Sequence, residues 1–377
     1  SKGDHLVQRI ASGRLRDVDV TALARKDGRI DILESISGKL LTSLRNGEMK
    51  KGVHRWVGLA VAHDGIFACT SAGDMRFFSI DQEEGSKDAT LALKGDCIKR
   101  EVPEPLQMVT FEPKSDPTHF AYGGEEIPLS VWDARQAISS NGETQDGENN
   151  ENASSSSRNT NGSANKQRKR KRIMENRAKA RELLWGEIWR AKNLPNDSLS
   201  LPQRPDILSV AFMGSPNIIA TGTRTGHIRI FNTSSQRKHT HEYRAFGATQ
   251  EKIPVKILLC SERKTELIAA DTTGKLFVLD VRSGSVLYQY KGINGAVLSM
   301  ESLPAINNNR GDSYLVTASA DRLLRLHSVP VDSQAATIDV SAEDAPMRKS
   351  TKQKGQTLSS QFMREGANVI AWDGVVP

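Results

Sequence analysis

Three turns in the second half of the 377-residue chain, at Gly226, Gly274 and Arg322, follow one another at intervals of about 48 residues. Each lies in the same kind of module: a strand of small residues, a tight turn and an alternating apolar strand. The copies read Ile218-Ile-Ala-Thr-Gly-Thr-Arg-Thr-Gly-His-Ile-Arg-Ile-Phe-Asn232, Leu267-Ile-Ala-Ala-Asp-Thr-Thr-Gly-Lys-Leu-Phe-Val-Leu-Asp280 and Leu315-Val-Thr-Ala-Ser-Ala-Asp-Arg-Leu-Leu-Arg-Leu-His327. Val20 to Glu34, Ile66 to Ile80 and Phe120 to Asp133 are earlier copies. A period of this length is decisive because one such unit cannot cover its own apolar faces and must stack on its neighbours.

The short β-branched and aromatic runs, punctuated by Gly and Asp, read as strands and turns rather than helices. Stacked radially, they predict an all-β chain, a WD40-type β-propeller of about seven blades. Six blades can be counted. Asn368-Val-Ile-Ala-Trp-Asp373 reads as a returning strand of the closing blade. Its partners are expected in roughly 40 residues preceding Ser1, which leaves that blade incomplete here. Only Trp132-Asp133 is a true WD pair. Phe231-Asn232, Leu279-Asp280 and His327-Ser328 stand in the equivalent places, so apolar stacking is expected to outweigh the usual side-chain hydrogen-bond network.

The propeller reading divides the chain into residues 1–138 and 183–330, with an interruption at 139–182, a flexible basic tail or loop at 331–355 and returning strands at 356–377. The interruption is rich in Ser, Asn, Gly and Glu and has no apolar period, so it is expected to be disordered and to lie between the third and fourth strands of one blade. A short charged helix is expected over Ile173 to Leu184. The whole chain has 52 Lys plus Arg against 45 Asp plus Glu, a net charge of +7. Lys166 to Arg181 holds nine basic residues and one acidic, enough to account for that surplus alone. The charge pattern is therefore that of a near-neutral body with a basic arm.

Cys69, Cys97 and Cys260 are far apart and form no C-x-x-C pair, so neither a disulfide framework nor a zinc ribbon is written here, and a reducing compartment is expected. No stretch approaches the roughly 18 apolar residues of a membrane span. Neither a membrane partner nor a small-molecule substrate is expected. No phosphate-cradling loop, zinc-protease motif or nucleophile elbow occurs. His239 and His241 have a metal-like spacing but no third ligand nearby, and Asp27, Asp74, Asp271 and Asp321 suit tight turns better than acid–base pairs. The expectation is binding without catalysis, cofactor or metal.

Two runs carry a more specific likeness. Glu187-Ile-Trp-Arg-Ala-Lys-Asn-Leu-Pro-Asn-Asp197 followed by Thr223-Arg-Thr-Gly-His-Ile-Arg-Ile-Phe231 resembles the WD-repeat ribosome-biogenesis factor of nucleolar large-subunit (pre-60S) precursors. Tyr290-Lys-Gly-Ile-Asn-Gly-Ala-Val297 and Ala318 to His327 are similar to that family's last blade. The resemblance spans about Val20 to Val329 and excludes the Asn/Ser-rich interruption. It implies a non-enzymatic platform in the nucleus and nucleolus, contacting pre-60S assembly factors and pre-ribosomal RNA, acting in rRNA processing and released by an AAA-type ATPase.

Partner or RNA contact is assigned to Arg190, Lys192, Asn193, Asn196 and Asp197, which follow a predicted outer strand in a rim connection. The alternative is ordinary solvated charge and a Pro-containing turn. Arg224 and Arg322 occupy equivalent turns on one face, suited to carboxylate or phosphate, or else to pairing with a neighbouring acid. Lys166, Arg168, Lys169, Arg170, Lys171 and Arg172 fit a nuclear-import signal, with RNA tethering or plain solvation as the other readings. Arg348, Lys349, Lys352 and Lys354 form a weaker duplicate. Val131-Trp-Asp-Ala-Arg135 also matches the W-D-x-R pattern of propellers that serve a cullin ubiquitin ligase as substrate receptors, which is the alternative function.

Overall fold

A computed structural model of the protein describes residues 6–82, 91–94, 97–139, 182–196, 199–244, 253–262, 264–304, 313–329 and 354–372. The first sheet is β1 (Val7–Leu15), β2 (Val18–Arg25), β3 (Arg29–Glu34) and β4 (Leu40–Arg45), paired in chain order. The second is β5 (Trp56–Ala62), β6 (Gly65–Thr70), β7 (Asp74–Gln82) and β8 (Leu91–Leu93), with β9 (Ile98–Glu101) also on β7. The third is β10 (Leu106–Glu112), β11 (His119–Gly124) and β12 (Ser130–Asp133), then the single helical turn α1 (Ala134–Ala137), then β13 (Glu187–Arg190). Residues 140–181 thus fall between its third and fourth strands.

β14 (Ile207–Phe212), β15 (Ile218–Thr223), β16 (His227–Asn232) and β17 (His239–Arg244) make the fourth sheet. The fifth has β18 (Val255–Cys260), β19 (Glu266–Asp271), β20 (Leu276–Asp280) and β21 (Val286–Tyr290). The sixth has β22 (Val297–Leu303), β23 (Tyr314–Ser319), β24 (Leu323–Ser328) and β25 (Lys354–Phe362). The inner strands β1, β5, β10, β14, β18 and β22 touch one another in that order, so the sheets stand as blades around an axis. The all-β propeller expected from the repeats is the fold observed.

Each join between consecutive blades has its own apolar cluster. Ile30, Ile32 and Trp56 fill the first join, Phe111, Phe120 and Trp132 the second, and Trp189, Phe212 and Phe231 the third. Ile228, Ile230 and Phe277 fill the fourth, and Val278, Tyr288 and Leu315 the fifth. An aromatic chain crosses the second join, with ring centroids 5.9 Å apart for Phe67–Phe111, 5.9 Å for Phe111–Phe120 and 5.6 Å for Phe120–Trp132. Such pairs contribute about 1 kcal/mol each beyond their burial.

The repeat is tighter than the sequence pattern suggested. Every inner strand carries a bulge at its start, and the residue just past it pairs with a small residue of the second strand. These pairs are Arg9 with Ala24, Gly58 with Cys69, Met108 with Gly123, Ser209 with Gly222, Ile257 with Ala270 and Ser299 with Ala318. The small residue makes room for the next blade: a Cβ on Gly123 would lie 2.5 Å from Ile207 Cγ2, and one on Gly222 would lie 2.7 Å from Val255 Cγ1. Four residues on, the turn takes a left-handed backbone at Gly226 (φ 82°) and Gly274 (φ 93°), which glycine adopts without penalty. Arg322 holds that position at φ 64°, its guanidinium carbon 5.2 Å from the Phe362 ring centroid.

The sixth blade's outer strand is β25, which also pairs in parallel with β21 at Gln289 and Tyr290. Lys354, expected in a flexible segment, begins that strand. The strand expected at 368–373 differs from the finding: residues 368–372 are not paired as a strand. They run beside β22, where the Ile370 N–H donates to the Ser299 side-chain oxygen at 3.0 Å. A side-chain acceptor offers no ladder, and no described strand flanks the segment on its other side. The helix expected at 173–184 lies outside the described residues except for 182–184, which are not helical.

Two predictions follow from this packing. Gly123→Ala overpacks the third join and is expected to lower stability by about 1–3 kcal/mol in urea unfolding. The second concerns His327, fully buried between Thr317 Oγ1 (2.9 Å) and Thr357 Oγ1 (3.2 Å), where it ties β25 to the blade. Burial, with Arg325 adding to it, lowers its pKa from the ordinary 6.5 to about 4. The unfolded chain therefore binds more protons between those values, and stability falls as pH drops through that window, by up to about 3 kcal/mol. His327→Gln is expected to flatten the slope of urea midpoint against pH over that range.

Candidate binding face and channel mouth

Strand direction decides where the candidate residues lie. Inner strands start at one face of the disc; second strands end there, third strands start there and fourth strands end there. Arg190 at the end of β13 and the turns holding Arg224 and Arg322 therefore belong to one face, and the chain after Arg190 leaves it along the flank of the next blade, where Lys192 reaches Arg237 in the turn between β16 and β17. Lys192, Asn193 and Asn196 are exposed. Asp197 and the basic residues Lys166, Arg168, Lys169, Arg170, Lys171, Arg172, Arg348, Lys349 and Lys352 lie outside the described residues.

Arg190 is not a free contact group. Its Nε donates to Glu187 Oε1 at 2.7 Å, and a second guanidinium nitrogen binds Oε2. The Glu187 side chain is completely buried. It accepts from Ser130, whose hydroxyl accepts from Trp132 Nε1 at 2.9 Å. This side-chain chain anchors the outer strand of the third blade. Backbone bonds extend the clamp to the next blade, with Arg237 Nε donating to Arg190 O and Lys192 N–H to Arg237 O, both at 2.7 Å. The fixed connection leaves a small crevice lined by Lys192, Asn193, Arg229 and His239.

Arg229 donates to Glu242 Oε1 at 2.7 Å. Against the upward push of burial, Arg229 holds the Glu242 carboxyl below its ordinary range. Burial lowers the pKa of His239. Among the described residues no cluster of His, Cys, Asp or Glu could hold a metal.

Arg224 donates to Asp206 Oδ2 at 2.7 Å, just before its own blade's inner strand. Its turn matches that of Arg322, but its place differs: Gly226 is the residue equivalent to Arg322 by register and backbone angle. Trp132 is fully buried between blades. Arg135 binds both Asp64 oxygens at 2.8 Å and Asp116 Oδ1 at 3.0 Å on the opposite face. The W-D-x-R residues thus have structural partners.

Sequence reading missed the centre of the face. Arg9, just past the bulge of β1, reaches towards blade three, with Nη2 3.6 Å from Met108 Sδ. Its Nε is buried without a hydrogen-bond partner, and Nη1 meets only the Gln8 carbonyl, at 3.4 Å. Burial and the nearby Arg55 guanidinium lower its pKa to about 10. Arg55 donates to the Gln107 side chain. Lys256 stands at the bulge of β18, the place of Gln8 in β1, and burial lowers its pKa. The signal in the sequence was available: Arg9 is the charged residue in a set otherwise made of Gly58, Met108, Ser209, Ile257 and Ser299. It becomes visible only with the register.

Arg190→Met would leave Glu187 buried without its cation, so a loss of about 3 kcal/mol is expected in urea unfolding. Lys192→Glu, at an exposed site, is expected to shift stability by no more than about 0.5 kcal/mol.

No family model matches the sequence. The chain is 23% identical to WD repeat-containing protein 74 of Bos taurus over 275 residues, which are 72% of this chain and 54% of that protein. Its identity to WD repeat-containing protein 74 of Mus musculus is 24% over 279 residues, with the same coverage of 72% and 54%. The chain thus spans about half the length of these relatives. In structure it is similar to the Cps50 (Swd1) β-propeller domain of Myceliophteria thermophila, with a TM-score of 0.58, 10% identity, and coverage of 96% of this chain and 89% of that one. Fold and sequence likeness together identify a WD-repeat β-propeller.

Proposed function

We propose that the chain is a non-enzymatic interaction platform in nuclear assembly of the large ribosomal subunit, acting in rRNA processing through pre-60S assembly factors and pre-ribosomal RNA. The observation that carries this reading is the 191–196 connection. It contains most of Arg190 to Asn193, the most specific piece of the resemblance to the nucleolar WD-repeat factors, and it presents Lys192, Asn193 and Asn196 to solvent beside a backbone held at Ala191 and Lys192. A clamped loop binds with little ordering entropy, so few contacts suffice. The basic run Lys166–Arg172 supports nuclear import, and an AAA-type ATPase is the proposed releasing partner. Because Arg135 is engaged by Asp64 and Asp116, the ligase-receptor reading gains nothing from the geometry.

Affinity purification of the tagged full-length protein, identifying both RNA and protein, tests the role. Large-subunit precursors are expected in the eluate. Ligase subunits without precursors would overturn it. The double variant Lys192→Glu with Asn193→Asp is expected to keep the wild-type melting temperature while losing most of its cosedimentation with the precursor.

A further inference from the structure

Five arginines of the strands are matched with a carboxylate, and the half-buried Arg100 gives its Nε to Ala137 O at 3.0 Å. Arg25 has Asp31, Arg76 has Asp74, Arg190 has Glu187, Arg229 has Glu242 and Arg325 has Asp321. Arg9 has no carboxylate among the described residues. Its neighbours are a thioether, a carbonyl and the second guanidinium of Arg55. Neither Arg55 nor Lys256 is paired with a described acid; the polar partner of Arg55 is Gln107. At the far end of the channel the fold neutralises its cation, since Lys114 pairs with Glu301 across the ring. Among the described residues, Arg9, Arg55 and Lys256, on the face where the inner strands begin, have no carboxylate partner.

A buried Nε without an acceptor is costly, and an apolar side chain of similar volume would pack there without that cost, as Met108 does in blade three. We propose that this mouth receives a carboxylate: Arg9, with the Arg55 guanidinium nearby, takes an acidic side chain or the terminal carboxylate of a partner peptide entering the channel end-on. The planar guanidinium fork matches a carboxylate in two-point contact. Two neighbouring guanidiniums make a local site, which favours a single inserted group over a nucleic-acid backbone, whose binding needs a continuous groove.

The test uses the full chain and a fluorescein-labelled hexaglutamate peptide, followed by anisotropy at low salt, with a hexauridylate RNA for comparison. Arg9→Met is expected to weaken peptide binding about tenfold or more. It is also expected to raise the melting temperature and to leave RNA binding unchanged. Arg9→Lys, which keeps the charge and removes the fork, is expected to weaken peptide binding several-fold and serves if Arg9→Met does not fold. Unchanged peptide affinity in these variants would overturn the proposal, and so would a loss confined to RNA. No ribosomal precursor enters the measurement, so its failure is distinct from failure of the assembly role.

Discussion

Face-to-face stacking of twisted sheets is the constraint on which everything else rests. A blade can bury its faces only if the next inner strand comes close, and closeness is set by what stands at the start of the second strand. Ala24, Cys69, Gly123, Gly222, Ala270 and Ala318 keep that site small, and the bulge beside each one adds local twist. Buried Val255 and Ile207 then seat against the preceding blade. Volume complementarity of this kind tolerates changes of residue type, provided that a small residue faces a β-branched one. This explains how blades so unlike one another in sequence hold one geometry.

Side-chain polar networks remain part of the fold, in altered form. The third strand holds a buried polar residue near its start in five blades: Asp31, Arg76, Ser130, Arg229 and Arg325. Each is met within its own surroundings, Arg325 for example by Asp321 at 2.6 Å and Gly292 O at 2.9 Å. Phe277 takes the same place in the fifth blade. The expectation that apolar stacking would carry the degenerate blades therefore needs amendment. One strand position is polar nearly throughout, but its chemistry differs from blade to blade, so no fixed motif marks it.

Legibility followed the range of the interactions. The strand–turn–strand units could be read because their signals are local: alternation, a small-residue strand and a residue tolerant of positive φ at Gly226 or Gly274. The outer strand β25 could not, since it pairs with β24 across the long polar interval 330–353, and its own side chains are mostly exposed. Among candidate contacts, Lys192 and Asn193 emerged on a rim because connections between blades must run over the surface. Arg190 looked equally exposed in sequence, but its role depends on Glu187 being sealed under the neighbouring strand. Arg9 was silent for a related reason: a lone arginine in a strand means little until six registers are aligned.

The same strand directions separate two kinds of positive charge. β12 ends, and β13 begins, at the face opposite the channel mouth, so residues 140–181, with the run Lys166–Arg172, are attached there. β24 ends and β25 begins at that opposite face too, which attaches residues 330–353, including Arg348, Lys349 and Lys352, on the same side. Arg9, Arg55 and Lys256 belong to the other face. The two attachment points and the channel mouth thus stand apart by the length of an inner strand, further than the roughly 8 Å over which charge acts at physiological salt.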